Sequence, residues 1–171
     1  MVVVSLIALM LVFSFPKLSG FLSVNNKNQV VRWLIVQRTV LKTRAIKEQK
    51  PYILRVDISD NRFQTLPMPG AVSTADQDLT TDEDQVENKS ARQKYVCSGD
   101  LDITAVVLPD DEIILSGAVD IIFSEKGYSQ QAIIQMKDGD DRFSIYIEPF
   151  LPRVVVYEGH VKFEQLWKEL S

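Results

Sequence analysis

Residues 1–50, MVVVSLIALMLVFSFPKLSGFLSVNNKNQVVRWLIVQRTVLKTRAIKEQK, decide the fold, and they divide at Pro16. The first fifteen residues carry no charge and only two serines. As a helix rising ~1.5 Å per residue they cover about 22 Å, some 8 Å short of the ~30 Å hydrocarbon core of a bilayer. A secretory signal would carry a basic start and small residues before its cleavage point, whereas this run has no leading charge and is followed by Phe15-Pro16-Lys17. A run that is apolar on every side and lies at the amino terminus suits a membrane or a helix bundle better than one face of a core. Pro16 withdraws a backbone donor, and Gly20 and the Asn25-Asn26 pair are further weak points for a helix.

Beyond them the pattern becomes amphipathic. Val30, Leu34, Leu41 and Ala45 are spaced by four, seven and four, with Trp33 and Val40 at the edge of their stripe. Arg32, Thr39, Thr43 and Lys50 lie opposite, flanked by Lys42 and Lys47. Ile35, Val36 and Ile46 fall outside the stripe and are free to meet a second partner. The spacing predicts an amphipathic helix over 27–50 that ends before Pro51. Its basic side reads first as a solvated face, and second as a surface for acidic subunits or anionic headgroups.

After Pro51 the period falls to two. Strands are expected at Tyr52–Ile58, Arg62–Leu66, Ile103–Leu108, Glu112–Leu115, Val119–Phe123, Gln131–Lys137, Phe143–Glu148 and Val154–Tyr157, within a β-rich span of 51–158. Turn signals separate them at Ser59-Asp60-Asn61, Pro109-Asp110-Asp111, Glu125-Lys126-Gly127 and Asp138-Gly139-Asp140-Asp141. Antiparallel hairpins are the natural outcome, in a single sheet that packs one face on the helix stripe. Residues 71–94 are acidic and poor in large apolar side chains, and are expected to form a mobile loop. Over 161–170 the period returns to helical, with Phe163, Leu166, Trp167 and Leu170 on one face. The fold class is therefore α+β, a long amino-terminal helix on an antiparallel β domain.

Charge separates the two parts. Of the net −4, residues 1–50 hold eight basic residues against Glu48 alone (+7), leaving −11 for the rest. Phosphate binding needs clustered Lys and Arg, so the β half is not expected to meet nucleic acid. Cys97 is the only cysteine and His160 the only histidine, which excludes an intrachain disulfide and a Cys- or His-rich zinc site. Their pairing as thiol and imidazole is conceivable, but a buried Cys97 and an exposed His160 is the plainer expectation. The 138–141 turn holds three carboxylates yet lacks the alternate spacing and closing glutamate of a calcium loop. No cofactor, metal or catalytic group is expected.

The run MVVVSLIALMLVFSFPKL resembles the amino-terminal helix of type IV pilins and type II secretion pseudopilins, in which a glycine, a phenylalanine and a glutamate precede an apolar stretch that ends near a proline. Matching Pro16 to that proline places Met1 just after the family's glutamate. Ile121 to Gly127, then a strand, the Asp138-Gly139 turn, another strand and Pro152-Arg153-Val154-Val155-Val156, is similar to the β-rich end of H-type minor pseudopilins. The terminal helix at 161–170 departs from that pattern. The resemblance implies a membrane and fibre-core segment over 1–25, with Leu6, Ile7, Leu11, Phe15 and Pro16 as anchoring and assembly residues, and a periplasmic pilin-like domain over 26–171 that folds without the first segment. It implies single-pass residence in the bacterial inner membrane, amino-terminal processing and methylation, and partners among other pseudopilins and the inner-membrane assembly platform. Upstream in-frame codons are expected to supply the leader, glycine and glutamate. The readings that compete are a minor type IV pilin working in adhesion or DNA uptake, and a membrane-tethered binding or sensor module marked by a ligand-sized pocket.

Overall fold

A computed structural model describes residues 19–68, 92–110, 112–151 and 153–169, with side chains described from Asn26 to Leu166 within those spans. Helix α1 (Ser19–Glu48) is followed by β1 (Tyr52–Asp57), β2 (Arg62–Pro67), β3 (Lys94–Val96), β4 (Leu101–Val107), β5 (Ile113–Ile114), β6 (Ala118–Phe123), β7 (Ala132–Asp138), β8 (Asp141–Ile147), β9 (Val154–Glu158) and α2 (Phe163–Glu169).

The helix runs unbroken through Gly20 and the Asn25-Asn26 pair from Ser19, the first described residue, so the expected start at residue 27 is too late. A glycine or asparagine costs an interior helix only about 1 kcal/mol, too little to stop one that continues into a packed stripe. At the other end Gln49 takes a left-handed conformation (φ 52°) and the Lys50 N–H donates to the Ala45 carbonyl at 3.3 Å, a Schellman closure followed at once by Pro51.

The strands form two antiparallel sheets rather than the single sheet expected: β3-β2-β1-β6 and β5-β4-β7-β8-β9. The reason is a pairing between distant strands. β6 leaves its sequence neighbours and pairs with β1, setting Arg55 opposite Asp120, where Nε and Nη2 reach the two carboxylate oxygens at 2.7 Å each. β3, which no alternation announced, begins at Lys94, the last residue of the stretch expected to be a loop, and pairs with β2 through Phe63↔Tyr95. The rest of that stretch, up to residue 91, lies outside the described residues.

Asn61 ties the two sheets together. Its left-handed backbone (φ 47°), tolerated by asparagine, closes the β1–β2 turn. Its side chain donates to the Leu101 carbonyl at 2.9 Å and accepts from the Ile103 N–H at 2.9 Å, so the turn of one sheet holds the first residues of β4 in the other.

One core unites the three layers. Leu34 and Leu41 from α1, Leu54, Phe63 and Ile121 from the first sheet, and Met136 from the second all belong to it. A β-bulge at Thr104 decides which way β4 faces. Simple alternation from Leu101 and Ile103 would turn Val107 to the core; the extra residue places Val106 there, opposite Ile134, and turns Val107 outward beside Ile133. That outer pair is apolar and is covered by α2 through Phe163 and Leu166, with Tyr146 edge-on to Phe163 at 6.2 Å. Gln135 donates to the Val161 carbonyl at 3.0 Å and the Ser144 hydroxyl accepts from the Val161 N–H at 3.0 Å, fixing the approach to the helix. Truncating the cover at Leu166→Ala is expected to cost about 2 kcal/mol, the low end for a buried leucine because it belongs to the smaller, outer cluster. A urea midpoint unchanged from the parent would show that α2 is not part of the cooperative unit.

Candidate functional site

The residues expected to anchor and assemble the chain, Leu6, Ile7, Leu11, Phe15 and Pro16, lie outside the described residues. Among the described residues no helix is long and apolar enough to cross a membrane. The surface on which assembly can be judged is therefore α1 from Asn26 onward and the loops beside it.

The expected stripe is the one that is buried: Val30, Leu34, Leu41 and Ala45 are all 1% exposed or less. Trp33, expected at its edge, packs on Tyr95 at 5.5 Å and Phe63 at 6.0 Å between ring centroids. Ile35, Val36 and Ile46 are exposed, as their position outside the stripe required.

The basic side behaves differently from a uniform solvated face. Arg32, Thr39, Thr43 and Lys47 are exposed, but Arg38 is buried and donates to the backbone carbonyls of Glu148 and Arg153. One turn on, the Lys42 ammonium donates to the Phe150 carbonyl at 2.8 Å. Burial lowers the Arg38 pKa and the nearby Glu148 carboxylate raises it again, while Glu148 also holds Arg153 at 2.9 Å. Two helix cations thus grip the 148–153 loop by its carbonyls. Spacing offered a signal for this: Arg38 falls four residues after Leu34 and three before Leu41, inside the stripe's own period.

The loop presents Phe150 and Leu151 to solvent, 71% and 47% exposed. Beside it the β6–β7 turn closes on the helix. Gly127 (φ 83°) comes so near Ile46 that a Cβ there would lie 3.2 Å from Ile46 Cδ1. The Ser129 N–H donates to the Pro149 carbonyl at 2.9 Å, joining this turn to the 148–153 loop. An open cleft of about 350 Å³ lies nearby, lined by Pro51, Ile122, Ser124, Glu125, Tyr128 and Gln130. Its polar lining is one carboxylate, one amide and the hydroxyls of Ser124 and Tyr128.

Cys97 is buried and His160 exposed, as expected. His160 Nε2 lies 3.3 Å from both the Thr104 hydroxyl and the Met136 carbonyl. Burial pushes the Cys97 thiol up to about 12, with the Asp102 carboxylate adding to the shift. Since the thiolate is the nucleophile, alkylation of the native chain at pH 8 is expected to be slower than that of the urea-unfolded chain by at least about a hundredfold; equal rates would place Cys97 at the surface.

Among the described residues no grouping of three or more His, Cys, Asp or Glu could hold a metal ion. The 138–141 segment is the expected two-residue hairpin, with Asp138 opposite Asp141. Its one surprise is that Asp138 is buried with neither carboxylate oxygen hydrogen-bonded.

The chain matches no family model and no curated protein sequence. Its architecture does match solved structures. One structure of the minor pseudopilin EpsH from the type 2 secretion system of Vibrio cholerae aligns with a TM-score of 0.55 at 9% identity, over 80% of this chain and 99% of that one. A second EpsH structure aligns at 0.54 and 9%, over 81% and 97%. At this identity the likeness is one of fold, and the fold, an amino-terminal helix laid on antiparallel sheets, is that of a minor pseudopilin.

Proposed function

We propose that this chain is a structural minor subunit of a type II secretion pseudopilus, held in the bacterial inner membrane with its bulk in the periplasm, and that it supports protein export without being an enzyme. The observation that carries the reading is the match in architecture to EpsH over nearly the whole of that chain, joined to an uncharged apolar run at residues 1–15. The two halves suit one subunit. An apolar helix can be stored in lipid and later buried among neighbouring helices, while α1 beyond Asn26 uses its stripe for the sheets and keeps Ile35, Val36 and Ile46 for neighbours. Leu6, Ile7, Leu11, Phe15 and Pro16 are the residues assigned to anchoring and assembly. The partners are other pseudopilins and the inner-membrane assembly platform.

The test is export. Deleting the gene in its own bacterium is expected to stop secretion through the type II system, and the wild-type copy to restore it. A copy carrying Ile7→Arg and Leu11→Arg is expected to fail, because each arginine at the helix centre costs about 2.5–3.5 kcal/mol of insertion, and the protein should leave the membrane fraction. Normal export from the deletion strain overturns the proposal.

A further inference from the structure

We propose that Lys27 and Asp138 form a buried ion-pair latch between the start of α1 and the second sheet, the Lys27 ammonium moving from the face of Phe143, where it stands in this structure, onto the Asp138 carboxylate. The device goes beyond the subunit reading and holds for the chain whatever its role.

The latch begins from an unmet charge. Asp138 is 2% exposed, and neither carboxylate oxygen has a hydrogen-bond partner. A carboxylate removed from water without a partner is among the costliest groups a fold can hold, and a cation brought to it recovers much of that cost. Register shows where the charge points. Asp138 alternates with Ile134 and Met136 along β7, and those two belong to the main core, so the carboxylate lies on the face that meets the core.

The other groups near Asp138 do not answer it. Burial raises the pKa of Tyr95, with Cys97 and Asp138 adding to the rise, and pushes the Cys97 thiol up to about 12; both groups are therefore uncharged at neutral pH and supply no counter-charge. Lys137 and Arg142 are paired across the hairpin one position from Asp138, which turns them to the opposite, exposed face, where Lys137 holds Asp102 at 3.1 Å.

Lys27 is on the right side. Its ammonium stands 5.0 Å from the centroid of the Phe143 ring. Phe143 is buried opposite Met136, which makes it the diagonal neighbour of Asp138 across the β7–β8 ladder. Such neighbours lie about 7–8 Å apart, within reach of a long side chain. A second contact brings the same end of α1 to the same place. Asn26 lies against Gly99, where a Cβ would come within 3.6 Å of its Nδ2, and the carbonyl of the next residue, Asp100, accepts the Gly139 N–H at 3.0 Å. Half-buried Lys27 carries its charge on a flexible four-carbon stem, so exchanging ring for carboxylate needs rotamer changes and no new fold. A partly exposed cation gains little from a ring, whereas a buried carboxylate gains most from a charge. Closing the latch ties the start of α1 to the 138–141 hairpin. Opening it releases that end while the stripe from Val30 onward stays packed.

The test is amide hydrogen exchange on the full chain in detergent micelles, read at Val30 and Val31, whose helical N–H groups bond the carbonyls of Asn26 and Lys27. Lys27→Met keeps the stem over Phe143 and removes the charge. It is expected to speed exchange at least about tenfold where residue 138 is aspartate, and less than about threefold when added to a chain carrying Asp138→Asn, because the cost of losing the cation depends on the carboxylate it serves. Asp138→Ser repeats the comparison if the asparagine chain does not fold. A loss of the same size in both backgrounds would show that the ring alone holds Lys27, and no loss in either that the two residues are independent; each result overturns the proposal.

Discussion

Phe63→Ala is expected to lower the stability of the chain by about 3–5 kcal/mol, the range for emptying a buried aromatic site. Phe63 is fully buried on β2 and joins three elements. Its ring lies 6.0 Å from Trp33 on α1 and 6.4 Å from Tyr95 on β3, tilted in both cases as aromatic quadrupoles prefer. β3 has only three residues and is paired through Phe63↔Tyr95, so the cavity would loosen the short edge strand as well as the helix contact. A total stability near 5–15 kcal/mol leaves little after such a loss. The measurement is the urea midpoint, followed by tryptophan fluorescence to report wetting around Trp33. Phe63→Leu is expected to cost under about 1.5 kcal/mol because volume is largely kept. If the alanine variant lost under about 1 kcal/mol, the ring cluster would not be what holds α1 to the first sheet.

The second large effect is at Arg38. Arg38→Ala is expected to cost about 3 kcal/mol. Two hydrogen bonds from a charged donor contribute about 1.5–3 kcal/mol each, and relief of the guanidinium's desolvation offsets part of that. What remains is set mainly by the Arg153 carbonyl, which loses the Arg38 donor, whereas the Glu148 carbonyl keeps the Ser129 hydroxyl at 3.3 Å. Arg38→Lys should recover less than half, since one ammonium cannot span two carbonyls as a planar fork does. Alongside the midpoint, proteolysis next to Phe150 should quicken in Arg38→Ala, because Lys42 alone then holds the loop. An unchanged midpoint with an unchanged cleavage rate would mean the loop is held by the Ser129 contact and Lys42.

What the sequence by itself determined was whatever has a short period. The stripe Val30, Leu34, Leu41 and Ala45, the stop before Pro51, the eight strands from alternation and turn residues, and the terminal helix all rest on contacts between residues a few positions apart, and helix and strand geometry dictate these directly. The resemblance of the amino-terminal run to pilins pointed to the same helix-on-sheet architecture that EpsH has. The tertiary structure alone decided the rest. That β6 pairs with β1 across 65 positions, and so makes two sheets from strands that alternation would string into one, depends on long-range burial that no local pattern encodes. The bulge at Thr104 reverses the facing of Val106 and Val107, and its worth is set by α2, some sixty residues later. The position of Arg38 within the stripe's period marks it for burial, but what it meets there is decided by the 148–153 loop, because a guanidinium becomes a buried donor only when distant carbonyls are brought against it.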